Sequence, residues 1–348
     1  MVDIKSLTLP ELQEEMERMG EKRFRAGQIY GWLHEKLADH FQEMTNLSGA
    51  LRKRLEQDYE LVSLSLEQVQ TSAFDGTSKF LFRLGDGNMI ESVLMRYHHG
   101  NSVCISSQAG CRMGCRFCAS TLDGLKRGLT PSEMLDQIYQ IRKWSKERVH
   151  NVVVMGTGEP LDNYDALLRF LKILTGEGGL HISQRNVTVS TCGIVPGIRR
   201  LADEKLQITL ALSLHASTQE KRERLMPVAG KYELSEVMDA CRYYFGQTGR
   251  RITFEYSLVS GINDREEDAE ELAALLKPLN CHVNLIPVNP IKERDYVQPD
   301  RRKVLRFKNR LESFGINATV RREMGRDIDG ACGQLRKRYM DASKKPEK

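Results

Sequence analysis

The stretch SVCISSQAGCRMGCRFCAS, residues 102–120, decides how the rest of the chain is read. It places Cys111, Cys115 and Cys118 at four- and three-residue spacing. Three thiolates so arranged can each hold one iron of a [4Fe-4S] cluster and leave the fourth iron open to chelate a substrate. Ferredoxin-type clusters take four protein cysteines at other spacings, and structural zinc takes four ligands in close pairs. Neither pattern fits, because no nearby Cys or His offers a fourth ligand. The flanking Gly110 and Gly114 suit a loop that wraps tightly around inorganic sulfide.

The cysteine stretch opens a repeating pattern. From about residue 101, a short apolar strand is followed by a helical run, six times over. The pairs are VCISS with TPSEMLDQIYQIRKW, NVVVMG with NYDALLRFLKIL, NVTVST with VPGIRRLAD, QITLALSL with a run around Ser235 to Gly246, RITFEYSLV with REEDAEELAALLKPL, and HVNLIPV with RRKVLRFKNRLESF. Six βα units in series predict an α/β fold, a parallel sheet with helices outside, closing as a partial (β/α)6 barrel. Ligands then sit at the C-terminal ends of the strands. Upstream, residues 9–18, 26–36 and 48–57 carry apolar positions at helical spacing and predict a small N-terminal helical accessory domain. Residues 61–97 alternate apolar and polar around Asp75-Gly76 and Asp86-Gly87 turns, which predicts a β extension of three antiparallel strands. The expected division is residues 1–60, 61–100, 101–325, and a C-terminal tail over 326–348.

Composition agrees with one large core and a small extra unit. The 348 residues are 40% hydrophobic and 28% charged. No apolar run approaches the roughly 18 residues of a membrane span, and the start is polar and acidic rather than a signal peptide. The expected address is the cytoplasm, where eight cysteines serve as thiols or metal ligands rather than structural disulfides. The net charge of +5 is uneven: residues 291–348 alone carry +8. That segment is composed for contact with phosphates, or equally for an ordinary solvated helix face.

One unit after the cysteines comes Gly156-Thr157-Gly158-Glu159-Pro160. Its glycines let backbone approach a ligand, and its carboxylate can pair with an ammonium group. The combination resembles the GGEP-type motif that holds the amino group of S-adenosylmethionine (SAM) in radical SAM enzymes, whose cluster takes the three-cysteine spacing found here. Ser190, Ser213, Leu214, His215 and Asn289 lie at the ends of otherwise apolar strands. Each by itself reads equally as a strand-end cap; the shared barrel mouth favours contact with SAM.

Over nearly its whole length the chain resembles the RlmN/Cfr family of radical SAM RNA methyltransferases. The resemblance rests on SVCISSQAGCRMGCRFCAS, GLKRGLT, VVMGTGEPLDNYD, VSTCGIVPGI, SLHA, LMPV, GIND, HVNLIPVNP and DIDGACGQL. The stretch GEPLDNYD favours the RlmN branch; Thr157 stands where the family has Met. The resemblance implies methylation of carbon 2 of an adenosine in 23S rRNA near the peptidyl-transferase centre, and in tRNA beside the anticodon. It implies a [4Fe-4S] cluster and two SAM per turnover as cofactors, and a low-potential electron donor such as flavodoxin or ferredoxin. A monomer without membrane attachment is expected.

Carbon 2 of adenine is electron-poor and its hydrogen is not acidic, so a radical route is needed. The resemblance assigns Cys332 as the thiolate that takes a methyl from one SAM by displacement. A radical from the second SAM abstracts hydrogen from that methyl, and the resulting carbon radical adds to adenine. Cys104 matches the thiol that resolves the covalent adduct through a transient disulfide, and Glu91 the acceptor of the adenine proton. Without the resemblance, Cys104 and Cys332 read as small core residues and Glu91 as an outward-facing strand carboxylate. Cys192, Cys241 and Cys281 match no functional position and are expected in the core. The competing readings are a Cfr-type enzyme acting on carbon 8 and conferring antibiotic resistance, a radical SAM activase acting on protein, and a non-catalytic iron–sulfur protein that binds RNA or senses redox state.

Overall fold

The computed structural model describes residues 1–289, 295–328 and 333–343. The chain begins with β1 (Val2–Asp3) and three helices, α1 (Leu9–Arg18), α2 (Phe24–His34) and α3 (Gly49–Asp58), before β2 (Tyr59–Glu60) returns to pair with β1 in parallel. A buried ion pair joins this helical unit to the remainder of the molecule. Lys5 Nζ lies 2.7 Å from Asp136, whose other oxygen accepts the Leu64 N–H at 2.7 Å.

The next three strands, β3 (Ser65–Thr71), β4 (Ser78–Arg83) and β5 (Met89–Tyr97), form an antiparallel meander leading into β6 (Gly100–Ile105). Gly76 and Gly87 turn its corners with φ of +71° and +82°. The meander shares its sheet with the barrel, because β5 pairs directly with β6.

Beyond β6 a small ribbon of β7 (Gln108–Gly110) and β8 (Leu125–Gly128) brackets the cysteine loop. The βα series then runs α4 (Pro131–Ser145), β9 (Val149–Val154), α5 (Tyr164–Thr175), β10 (Val187–Thr191), α6 (Val195–Asp203) and β11 (Thr209–Ser213). It continues with α7 (Gln219–Leu225), α8 (Leu234–Thr248), β12 (Ile252–Leu258), α9 (Glu266–Leu276), β13 (Cys281–Pro287), α10 (Arg301–Ser313), β14 (Ala318–Val320) and α11 (Gln334–Ser343). Thr130 starts α4 with a capping box: its hydroxyl accepts the Glu133 N–H, and the Glu133 carboxylate accepts the Thr130 N–H at 2.9 Å.

Strands β6, β9, β10, β11, β12, β13 and β14 are parallel neighbours in that order. The six expected barrel strands are present, and the short β14 adds a seventh. Each crossover steps to the next strand in one direction, so the sheet curls without closing, with β3 and β14 as its edges. Val152, Val154, Val189, Leu210, Leu212, Phe254 and Val283 are buried and fill the space between sheet and helices. Among the described residues no helix is long and apolar enough to cross a membrane.

Candidate active site

The cysteine loop is shaped by its glycines and tied to the barrel by its backbone. Gly110 has φ of +79°, and a Cβ there would stand 1.9 Å from the Gly124 carbonyl oxygen, so only glycine lets the ribbon close. The Cys111 N–H donates to that same carbonyl at 3.2 Å. The Cys118 N–H turns back to the Cys115 carbonyl at 3.1 Å, and the Thr121 hydroxyl donates to the carbonyls of Cys115 and Cys118. On the barrel side, the Arg116 N–H donates to the Leu225 carbonyl at 2.9 Å, while Met113, Cys115 and Phe117 pack against Leu225, Met226 and Val228.

The Gly156–Pro160 turn follows β9 and lies against β6 and the ribbon. A side chain at Gly156 would meet the Ile105 carbonyl oxygen at 2.7 Å. At Gly158, with φ of +116°, it would meet Gln108 and Ser107 at 2.7 Å. Gln108 locks the turn by accepting the Glu159 N–H at 2.9 Å and donating to Asp162 at 3.0 Å. Thr157 is buried with its carbonyl accepting the N–H groups of Ser107 and Gln108, so the threonine that departs from the family pattern is accommodated within the turn.

These two segments and three strand ends enclose a cavity of about 140 Å³. Cys111, Cys115, Cys118, Gly158, Glu159, Ser190, Ser213 and His215 line it, which brings together most of the residues expected from sequence. Ser190 Oγ and Ser213 Oγ are 3.4 Å apart. His215 has φ of +58°, accepts the Ser257 N–H through Nδ1 at 2.9 Å, and meets the Phe117 ring edge-on. Leu214 is buried but does not line the cavity; its N–H donates to the Glu255 carbonyl. Cys192 is buried in an apolar cluster, as expected of a core cysteine, and also lines the cavity, where its N–H donates to Glu159 Oε2 at 2.7 Å. Cys241 and Cys281 are buried among core residues.

The electrostatics suit an iron–sulfur cluster and a cationic ligand. Burial pushes the Cys111 thiol up to about 12, despite the hydrogen bond that Met113 gives it, with Cys118 and Glu159 adding to the rise. Burial and the two neighbouring cysteines raise Cys115 further. Metal coordination reverses this, since it deprotonates a thiol outright. Among the described residues no three His, Cys, Asp or Glu side chains are gathered closely enough to hold a single metal ion. A cubane cluster gives each thiolate its own iron and so suits a wider spread. Glu159 is buried and its carboxyl is held above the usual range by desolvation, against the N–H groups it accepts from Cys192 and Leu161. No salt bridge reaches it among the described residues, and an ammonium group in the cavity would supply the missing positive charge.

Asn289 and Cys104 belong to a second, larger cleft. Its volume is about 460 Å³, and it is lined by Cys104, Asn289, Gln334 and the arginines Arg301, Arg321, Arg322 and Arg326. Asn289 thus lines this neighbouring cleft and not the 140 Å³ cavity itself. Cys332 lies outside the described residues. The next residue, Gly333, has φ of +81° and packs so closely on Ala119 and Ser120 that a Cβ would lie 3.1 Å from them. Glu91 holds this part of the tail: its two carboxylate oxygens accept the N–H groups of Gly333 at 2.6 Å and Arg336 at 2.5 Å, and Lys79 lies 3.1 Å away.

Residues 105–276 match the Radical SAM superfamily, and residues 2–61 match the Ribosomal RNA large subunit methyltransferase N-terminal domain. A probable dual-specificity RNA methyltransferase RlmN of Lachnospira eligens is 65% identical over 98% of this chain and 97% of its own. Its counterpart in Clostridium perfringens strain 13 is 52% identical over 98% of each. The crystal structure of a radical SAM methyltransferase from Sphaerobacter thermophilus superposes with a TM-score of 0.91 at 44% identity, covering 96% of this chain and 99% of that one. The cofactors are thus a [4Fe-4S] cluster and SAM. With identity at this level over nearly the whole chain, the chain belongs to the RlmN family of radical SAM RNA methyltransferases.

Proposed function

We propose that this chain methylates carbon 2 of adenosine in 23S rRNA and in tRNA. The observation that carries the reading is the adjacency of three features: the cysteine-lined cavity, the tail segment that Glu91 clasps against the cysteine loop, and the arginine-lined cleft containing Cys104.

In this reading Cys111, Cys115 and Cys118 hold the cluster, and Gly158, Glu159, Ser190, Ser213 and His215 hold SAM. Cluster and SAM together supply the one-electron chemistry that activates a C–H bond too inert for acid–base attack. Glu159 orients the SAM ammonium through its buried negative charge. His215, whose pKa burial and the charge of Arg222 hold down to about 3, stays neutral and offers the cavity an uncharged imidazole. Cys332 carries the methyl as a thioether. Cys104 resolves the enzyme–RNA adduct: its sulfur bonds to the Cys332 sulfur as the bond from that sulfur to the transferred carbon breaks, and the carbon takes a proton to become the methyl. The adduct's unpaired electron would leave to the one-electron acceptor that the cluster supplies, and two electrons from the external donor reduce the disulfide before the next turnover. Each Glu91 oxygen accepts one tail N–H and keeps a second lone pair, with which it takes the adenine proton.

The exposed Arg301, Arg321, Arg322 and Arg326 suit the phosphates that flank a splayed-out adenosine. The protein acts as a monomer in this reading. The electron comes from a low-potential donor of the flavodoxin or ferredoxin type, and the RNA substrates place the protein in the cytoplasm. Nucleoside mass analysis of 23S rRNA and tRNA, after incubation with anaerobically reconstituted protein, SAM and reductant, tests the reading. Formation of 2-methyladenosine is expected in both RNAs; 8-methyladenosine instead would move the protein to the Cfr branch.

A further inference from the structure

The helix α7, QEKRERL, has the composition of a solvated surface element, and its Glu220 and Arg224 do pair in solvent. Arg222 does not share their exposure: it has no solvent contact at all. Its Nη2 donates to the Cys192 carbonyl at 2.6 Å, whereas Nε and Nη1 meet no acceptor among the described residues. No carboxylate pairs with it among the described residues. A buried guanidinium left with unused donors is a costly arrangement unless an anion completes it.

The surroundings indicate which anion. The C-terminal carbonyl of α7, on Leu225, takes the Arg116 N–H from the middle of the cysteine loop. Pro227 packs on Gly114 in the same loop. Cys115 packs in one apolar cluster with Leu225, Met226 and Cys192. A Cβ on Gly193 would lie 3.0 Å from Arg222 Nη2. Arg222 thus sits behind Cys115 and Cys192, which line the cavity, without lining it itself.

We propose that Arg222 is the built-in counter-charge of the iron–sulfur site, a positioning residue that stabilises the anionic three-thiolate cluster and makes its one-electron reduction easier. In that step an electron from a low-potential donor enters the cluster, no bond forms or breaks, and the site becomes one unit more negative. Arg222 keeps its proton throughout. Positive charge fixed in a low-dielectric wall favours the more negative state, and groups behind the ligands are where a protein tunes a cluster. The inference rests on the cluster and not on the identity of the RNA.

The test is an EPR-monitored redox titration, in dithionite-poised buffer without SAM, of reconstituted wild type, Arg222→Lys and Arg222→Gln. The midpoint potential of Arg222→Gln is expected at more negative values, with Arg222→Lys close to wild type. Val237, whose methyls lie beside the same Gly193 position, provides a second route. Val237→Asp sets a carboxylate beside the intact guanidinium and should also lower the potential. A wild-type potential in either neutralised variant overturns the proposal. So does an unchanged potential combined with a severalfold loss of SAM affinity, which would make Arg222 an anchor for the SAM carboxylate instead. A wild type that assembles no cluster removes the ground for the proposal and contradicts the cofactor itself.

Discussion

Glu159 is held by the backbone of two different strand ends while its charge remains unpaired, and this makes it the most sensitive carboxylate of the site. Glu159→Gln keeps an oxygen for one N–H but turns an amide donor toward the other and removes the charge. Loss of a charge-assisted hydrogen bond worth about 1.5–3 kcal/mol predicts a roughly ten- to hundredfold weaker SAM affinity, measurable by calorimetry on the reconstituted protein. Gly158→Ala forces a side chain into a left-handed backbone and against Gln108, and should cost about 1–3 kcal/mol in urea unfolding. Both residues were legible in the sequence because the turn and the cysteine loop are short contiguous motifs whose chemistry is local. Cys192 and Arg222 were not. Cys192 reaches the cavity only because β10 ends there, and Arg222 is buried only because α7 packs behind the cysteine loop. A lone cysteine after a strand and an arginine in a charged run carry no local sign of either. Asn289 lines the adjacent larger cleft, and a strand-end position in the barrel series does not say which of two neighbouring cavities a side chain will line.

At the scale of elements, the N-terminal helices are docked onto α4 by buried polar contacts. Lys5→Met removes the cation that pairs with the buried Asp136, and is expected to destabilise the protein by about 3–5 kcal/mol. Lys5→Met/Asp136→Leu should recover part of that loss, and urea midpoints of the three proteins decide it. In the same interface His34 bonds to the Tyr139 hydroxyl at 2.8 Å, and burial, with the charge of Lys5, holds its pKa down to about 3 from the usual 6.5. The unfolded chain takes up this proton as pH falls through 6.5, but the folded chain only near 3. The stability is therefore intact above pH 6.5 and is lost as pH falls from there toward 3. Between pH 6.5 and 5 the loss from this residue approaches about 2 kcal/mol, and His34→Gln should flatten the urea-midpoint profile across that range. The long helices and the six barrel strands were readable from apolar periodicity. Strand β14, with three residues, and α7, with seven, are too short to show a period. That the meander joins the barrel sheet depends on the β5–β6 pairing, which local alternation does not encode.

For the whole molecule, a sheet that curls without closing leaves room beside the cysteine-lined cavity for the arginine cleft. The excess of positive charge over residues 291–348 was visible in the sequence, but its surface reading was open until Arg301, Arg321, Arg322 and Arg326 were found lining one cleft. Replacing Arg321 and Arg322 by Ala should weaken RNA binding at all sequences tested and lower the slope of log Kd against log salt by about one unit per residue. Stability should hardly change, because both side chains are exposed. The central claim is that the methyl passes through Cys332 before it reaches RNA. Incubation of the reconstituted protein with methyl-labelled SAM, reductant and tRNA, and then mass analysis of both the Cys332 peptide and the nucleosides, addresses it directly. The account predicts label on Cys332 and in 2-methyladenosine, with both lost in Cys332→Ala. Labelled 2-methyladenosine formed by Cys332→Ala, or by a wild type whose Cys332 never carries label, would contradict it.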